Sequence, residues 1–344
     1  MDTTKKRIVL VGCGGISRSW LGVPILPDEG NVVGFVDLDV EQARKRAAES
    51  PWPEAETGSD LEGMLKRLEP EVVFDCTVPS AHKEVTLTAL RHGCHVLGEK
   101  PMATTLGDAR EMVRAADKAG RAYAVVQNRR HDRNARALQQ FLRSGAIGRL
   151  TEVHVQFMVG AHFGGFRAEM EHVLLGDMAI HTFDTARMLC GKDPLEVTAT
   201  EWNPPGSWYR HGASANAVFR MTEGLYLTYT GSWCAHGAGT GWEAFWRIIG
   251  ERGGVVWDGG NGFVAEEAVP SDRLVWESRP LEVEPLASGP DSAEGHHGVM
   301  ADFLRSLRTG NQPETHCRDN IQSLAMVTES IRSVESGRAV TIEV

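Results

Sequence analysis

The 344-residue chain lacks any apolar run long enough to cross a bilayer. Its first apolar run, Ile8-Val9-Leu10-Val11 behind Lys5-Lys6-Arg7, is the length of a strand, too short for a secretory leader's core. Cysteine is sparse. Cys13, Cys76, Cys94, Cys190, Cys234 and Cys317 form no CxxC pair and no compact framework, so they read as free thiols in a reducing, cytoplasmic setting. Positive charge is in deficit, with 36 Lys and Arg against 46 Asp and Glu and a net charge of −10. That balance argues against nucleic acid or an anionic membrane as the default partner, although it leaves room for a local basic pocket. Internal repeats and low-complexity tracts are absent too, which excludes solenoids and linker arrays. What remains, 42% apolar and 24% charged, is ordinary globular protein of a length that suggests two domains.

Up to about residue 128, short β-rich runs alternate with helical stretches. The runs are Ile8–Val11, Val32–Val36, Val72–Cys76, His95–Gly98 and Ala122–Val126. Between them, 40–49, 61–68, 82–92 and 106–119 have helical character. The alternation predicts an α/β Rossmann domain, a doubly wound parallel sheet, over 1–128. From 129 to 344 the texture changes. Leu150–Val159 alternates, and further strands are expected at 196–202, 215–221, 225–232, 244–250 and 255–258, with helices near 294–307 and 319–336. Period-two alternation predicts an α+β domain with a large, mostly antiparallel open sheet, and the terminal helix is free to pack back on the first domain.

Gly12-Cys13-Gly14-Gly15-Ile16-Ser17 follows the first strand and opens a helix, as a dinucleotide-binding turn does, with serine in place of the last glycine. Gly12 suits the tight turn. Gly14, with Gly15 and Ile16, lets backbone amides approach a pyrophosphate at a helix N-terminus. Asp37 ends the second strand about 20 residues on, where a carboxylate takes ribose hydroxyls and favours NAD. Asp37 can equally be read as a helix N-cap, and Arg44 and Lys45 leave NADP open.

Thr77-Val78-Pro79-Ser80-Ala81-His82 and His95-Val96-Leu97-Gly98-Glu99-Lys100-Pro101 follow the next strands. With these residues the chain resembles the glucose-fructose oxidoreductase/inositol dehydrogenase/rhizopine-catabolism (Gfo/Idh/MocA) family, whose hallmark is the Glu-Lys-Pro turn. The resemblance continues through Gln127-Asn128-Arg129-Arg130, Gly145–Leu150, Asp177-Met178-Ala179-Ile180-His181-Thr182-Phe183-Asp184 and Ser336-Gly337-Arg338. The chain departs from the usual pattern in two places. The proline is displaced to Pro79, and Met170–Asp177 lacks the glycine pair that commonly precedes the aspartate.

The resemblance implies an NAD(P)-dependent sugar or cyclitol oxidoreductase without metal. Thr77, Pro79, His82, Glu99, Lys100 and Asn128 then line the cofactor site. His181 becomes the proton acceptor, Lys100 its electrostatic partner and Asp177 the residue orienting substrate. It also implies a homodimer or homotetramer built on the open sheet. Read without it, Lys100 is also compatible with a solvated surface lysine, and a helix over 176–190 sets Asp177, His181 and Asp184 along one face and Leu175, Ala179, Thr182, Ala186 and Leu189 along the other. Six tryptophans between Trp202 and Trp257 fit core packing first and sugar stacking second. His296-His297 has no metal-ligand company, and His162 or Arg167 are candidates for a pocket wall. Two alternatives stand beside the dehydrogenase: redox-assisted glycoside cleavage or epimerisation that recycles NAD, and a non-catalytic sugar- or dinucleotide-sensing regulator.

Overall fold

A computed structural model describes residues 5–286 and 293–344. The chain divides into two compact units, Met1–His131 with Pro290–Leu324, and Asp132–Gly289 with Ala325–Val344.

The first unit holds a six-stranded sheet, β1 (Lys6–Val11), β2 (Gly30–Val36), β3 (Glu56–Gly58), β4 (Val72–Asp75), β5 (His95–Gly98) and β6 (Tyr123–Val125). The spatial order is β3-β2-β1-β4-β5-β6, every pair parallel. This is the doubly wound arrangement, whose chain reversal between β1 and β4 opens a crevice at the carboxyl ends of the strands. Continuous apolar strands fit a sheet buried on both faces; all four residues of β4 are buried. Ile8, Leu10, Trp20, Phe35 and Phe74 form the core on one side, joined there by Val299, Met300, Phe303 and Leu304 of helix Gly295–Thr309.

The second unit holds nine strands: β7 (Leu150–Met158), β8 (Pro194–Trp202), β9 (Ser214–Met221), β10 (Tyr226–Ser232), β11 (Phe245–Gly250), β12 (Gly253–Trp257), β13 (Phe263–Val269), β14 (Glu277–Leu281) and β15 (Val340–Thr341). They lie in the order β14-β13-β12-β11-β7-β10-β9-β8-β15, antiparallel except for the β7–β10 pair. Along β9 the buried and exposed residues alternate, so one face is covered and the other open. On the covered face Phe183 meets Phe219 and Tyr229 edge-on, at 4.9 and 5.1 Å.

The segment expected as one α-helix over 176–190 is two structures. A π-helical turn, Leu174–Ala179, carries Asp177, and an α-helix, Ile180–Cys190, carries His181 near its start. Leu175, Ala179, Thr182, Ala186 and Leu189 are buried as expected, but Asp184 is buried with them. The α-helix is enclosed all round, with Phe183 on the sheet and Met188 O accepting from Gln139 Nε2 of helix Arg133–Arg143 at 2.9 Å.

Candidate active site

In the first unit the glycine-rich turn is locked by geometry that only glycine allows. Gly12 has φ +87° and donates its N–H to Val36 O at 2.8 Å. A Cβ there would lie 2.6 Å from Cys76 C and 2.7 Å from Thr77 N, so β1 and β4 approach too closely for any side chain. Gly14 and Gly15 face the opposite condition, with nothing within 4 Å of a built Cβ, at the start of helix Gly15–Leu21. Open space beside free amides at a helix start suits an anionic diphosphate. Ser17 is fully buried and donates to Gly14 O at 2.7 Å, doing the close packing expected of the third small residue.

Asp37 is not the helix cap; Asp39 is, accepting from Glu41 N at 3.0 Å. Asp37 instead accepts from Cys13 N at 2.7 Å and Asp39 N at 3.0 Å, which fixes its carboxylate beside the turn. Arg46, buried beneath, donates to Cys13 O at 3.2 Å and Gly14 O at 3.1 Å and so clamps the turn from behind. Nothing in the sequence distinguishes Arg46 from a surface helix arginine. Arg44 is taken by Glu41.

A cavity of about 650 Å³ opens here, lined among others by Gly12, Gly14, Asp37, Asp60, Glu62 and Thr77. Its volume is in the range of small-molecule sites. The lining fits a dinucleotide, with the glycine turn available to a diphosphate and the carboxylate of Asp37 available to ribose hydroxyls. Asp37→Ala is expected to raise the KM for NAD about 10–100-fold, the loss of charged hydrogen bonds, while NADP turnover gains relative to NAD. Steady-state kinetics with both cofactors checks it.

Thr77 is held by Asp75, whose Oδ1 accepts from Thr77 N at 3.0 Å and Thr77 Oγ1 at 2.5 Å. Burial pushes the Asp75 carboxyl up, against the opposing pull of His82 and the Thr77 hydrogen bonds. A polar residue closing an otherwise apolar strand was the available signal for Asp75. His82 is also buried, with Nδ1 2.8 Å from Pro101 O and Nε2 3.0 Å from Thr77 O. Both partners are acceptors, so the ring bridges the Thr77 turn to the Lys100 turn, standing behind the cavity wall. Pro79 is exposed, Ile16 is 37% exposed, and Asn128 lies half-buried in a short 3-10 turn, Asn128–His131.

The Lys100–Pro101 peptide is cis. Glu99 is buried beneath it. Its Oε1 accepts from Trp20 Nε1 at 2.7 Å with His296 Nε2 at 3.5 Å, and its Oε2 accepts from Lys100 N at 3.1 Å. Burial raises the Glu99 carboxyl, but the His296 and Trp20 hydrogen bonds and nearby positive charge outweigh it and hold the group below the usual carboxylate range. Glu99 is therefore an anionic anchor for the backbone that presents Lys100. Its partners Trp20 and His296 come from elsewhere in the chain, which hid the arrangement from the sequence.

In the second unit, Asp177 accepts from Arg167 Nε at 2.5 Å. Just before the π-helical turn, His172 stands at φ +50° and its carbonyl accepts from Gly176 N at 2.7 Å. Its Nδ1 lies 2.6 Å from the nearly buried Glu201 Oε2, and Nε2 lies 3.8 Å from Glu335 Oε1. The Glu201 hydrogen bond raises the His172 imidazole above its ordinary 6.5, burial opposing, with Glu335 and Glu171 adding to the rise. A raised histidine stabilises the fold fully below 6.5, and that contribution is lost as pH rises through the folded value. His172→Ala is expected to destabilise by about 3 kcal/mol, because Glu201 is left buried and unpaired. Urea unfolding should show the loss shrinking as pH rises above neutrality.

Thus Gly12, Gly14, Asp37 and Thr77 surround one cavity, and Lys100 follows the end of β5 in the same unit. Asp177 and His181 are placed by the second unit, one on the π-helical turn and one beyond it. Among the described residues no three His, Cys, Asp or Glu side chains group as metal ligands. No described helix is long and apolar enough to cross a membrane.

Comparison with known proteins follows the same division. A profile described as an oxidoreductase family with NAD-binding Rossmann fold matches residues 6–127, and the GFO/IDH/MocA C-terminal domain matches 135–256. The chain belongs to the Gfo/Idh/MocA oxidoreductases. Among family members it is 28% identical to 1,5-anhydro-D-fructose reductase of Ensifer adhaerens, covering 97% of this chain and 98% of the relative. It is also 28% identical to D-apiose dehydrogenase of Paraburkholderia graminis, covering 99% and 91%. In fold it is similar to an Agrobacterium radiobacter oxidoreductase solved with NAD+, L-tartaric acid and magnesium, with TM-score 0.83, 22% identity and 98% of each chain covered. The WlbA dehydrogenase of Bordetella pertussis, solved with NADH and UDP-GlcNAcA, gives TM-score 0.80 at 23% identity over 99% and 100%. As a Gfo/Idh/MocA protein the chain is an NAD-binding oxidoreductase.

Proposed function

We propose that this oxidoreductase moves hydride between nicotinamide and a hydroxyl or keto carbon of a sugar, cyclitol or related polyol. The observation that carries the reading is the placement of Gly12, Asp37, Thr77 and Lys100 just past the carboxyl ends of β1, β2, β4 and β5, with Lys100 set on the buried Glu99 anion. Ligands of doubly wound sheets bind along that edge. The names of relatives spanning nearly the full chain supply the substrate class.

Gly12, Gly14, Asp37 and Thr77 hold the dinucleotide, which when bound supplies the two-electron acceptor or donor. Lys100 donates a hydrogen bond to the substrate oxygen and stabilises its negative charge as the proton leaves. His181 takes that proton, suited by the near-neutral range of imidazole. Asp177, steadied by Arg167, accepts from a neighbouring hydroxyl and orients the ring. The test is NADH accumulation from NAD with a panel of inositols, aldoses and deoxy-sugars, and NADH consumption with their keto forms. A signal on one compound establishes the reading. Conversion of substrate without net NADH would replace it with cofactor-recycling chemistry.

We place the protein in the cytoplasm, on its free, mostly buried thiols. We also propose a homo-oligomer joined through the open sheet face, where Val218 is 43% and Tyr226 49% exposed. Light scattering should find a dimer or tetramer, and Val218→Arg should shift it toward monomer.

A further inference from the structure

A belt of rings in the second unit starts at Asp177 and leads away from it. The Arg167 guanidinium that pairs with Asp177 lies 5.2 Å from the Phe163 ring centroid and 4.7 Å from that of Phe166. Phe163 packs on Trp233 at 5.3 Å and Trp242 at 6.2 Å. Trp233 stacks on Tyr209 at 5.9 Å, and Tyr209 meets Trp208 at 5.8 Å. Trp208 in turn stacks on His162 at 3.6 Å and 17°, with His236 against its edge at 5.1 Å.

The belt is fixed in place by backbone bonds. Trp208 Nε1 and Tyr209 OH both donate to Ala161 O, at 2.8 and 2.5 Å, while Val159 N donates to Ser232 O at 3.0 Å. Its inner members Tyr209 and Trp233 are buried, as core packing requires, but Phe163 is 49% exposed, Trp242 48% and Phe166 68%. A contiguous set of half-exposed rings next to a polar site marks a ligand surface, and ring faces suit ring-shaped ligands. The charges on the belt, Arg167 and Asp177, pair with each other, so its outer part offers ring faces and imidazole edges to a neutral group. The exposed rings, Phe163, Phe166 and Trp242, lie on the far side of Arg167 from Asp177, so a ring resting on them is not the one held at Asp177.

We infer that the substrate is a glycoside: the ring undergoing redox chemistry lies by Asp177, and a second ring, aryl or saccharide, rests on Phe163 and Trp242. This rests on the hydride-transfer reading above and deepens it.

The test is calorimetric titration of the NAD-loaded full chain with matched sets of free aldose, methyl glycoside, p-nitrophenyl glycoside and disaccharide, repeated with Phe163→Ala and Trp242→Ala. The second ring is expected to tighten binding about tenfold over the methyl glycoside, and each variant to bring that ratio close to one. Whichever of the aryl and saccharide arms shows the gain names the second ring. The inference is overturned if ring-bearing and methyl glycosides bind equally, if both variants keep the preference, or if no ring-bearing glycoside binds. Turnover is scored separately. Ring-dependent binding without redox conversion sinks the hydride-transfer proposal alone, and turnover of methyl glycosides with no ring preference sinks the subsite alone.

Discussion

Lys100→Met is expected to lose about 10²–10³ in kcat/KM, the range lost with one donor to a developing oxyanion. The substitution keeps the length of the stem and removes the ammonium. The backbone N–H of residue 100 still donates to Glu99 Oε2, and Glu99 still accepts from Trp20. The turn and the cavity around Gly12, Asp37 and Thr77 should therefore survive, and NAD titration followed by protein fluorescence should show binding close to wild type. Loss of turnover with binding retained assigns chemistry to Lys100. Full activity in the variant would remove Lys100 from the mechanism and return it to the solvated surface lysines.

Alanine at Gly12 and at Gly14 should fail in opposite ways, although the same methyl group is added two residues apart. At Gly12 the new Cβ meets Cys76 C, Cys76 O and Thr77 N at 2.6–2.7 Å, all backbone atoms that no rotamer change can move, and φ is +87°. Left-handed strain and overpacking together cost about 2–5 kcal/mol, a large share of a typical domain's stability. Gly12→Ala should thus lower the unfolding midpoint and abolish NAD binding together. At Gly14 a Cβ meets nothing within 4 Å, and φ is −69°. Gly14→Ala should leave stability within about 0.5 kcal/mol of wild type while NAD affinity falls, because the methyl occupies the approach to the amides. Equal stability losses at both positions would refute this division of labour. Thermal unfolding with and without NAD measures both effects in one experiment.

What could be read directly from the residues was local. The runs Val72–Cys76 and His95–Gly98 announced buried parallel strands because a two-sided sheet demands unbroken apolar sequence, and β4 and β5 stand there. Leu150–Val159 announced a half-covered strand by alternation, and β7 stands there. The glycine spacing at Gly12 and the Glu99-Lys100-Pro101 turn were legible because each is a contiguous string whose chemistry depends on neighbours in sequence. The three-residue β3, the mostly exposed β13 and the edge strands β14 and β15 were not, since short or exposed strands draw their order from pairing with distant segments.

Only tertiary structure decided the rest. Arg46 beneath the glycine turn, Asp75 beneath Thr77, and Trp20 with His296 around Glu99 are contacts between residues far apart in the chain. A sequence lists such residues without saying which of them meet. Asp184 shares a helical face with Asp177 and His181 in the sequence pattern yet is buried, because helical periodicity sets direction around an axis and says nothing of what packs on each side. The π-helical turn at Asp177 lies beyond periodicity altogether. By itself the sequence determined the longer strands and helices, the dinucleotide turn and the residue types available for proton transfer. Packing decided which carboxylates are buried anchors and which face a cavity, because burial and partner choice are properties of the assembled core.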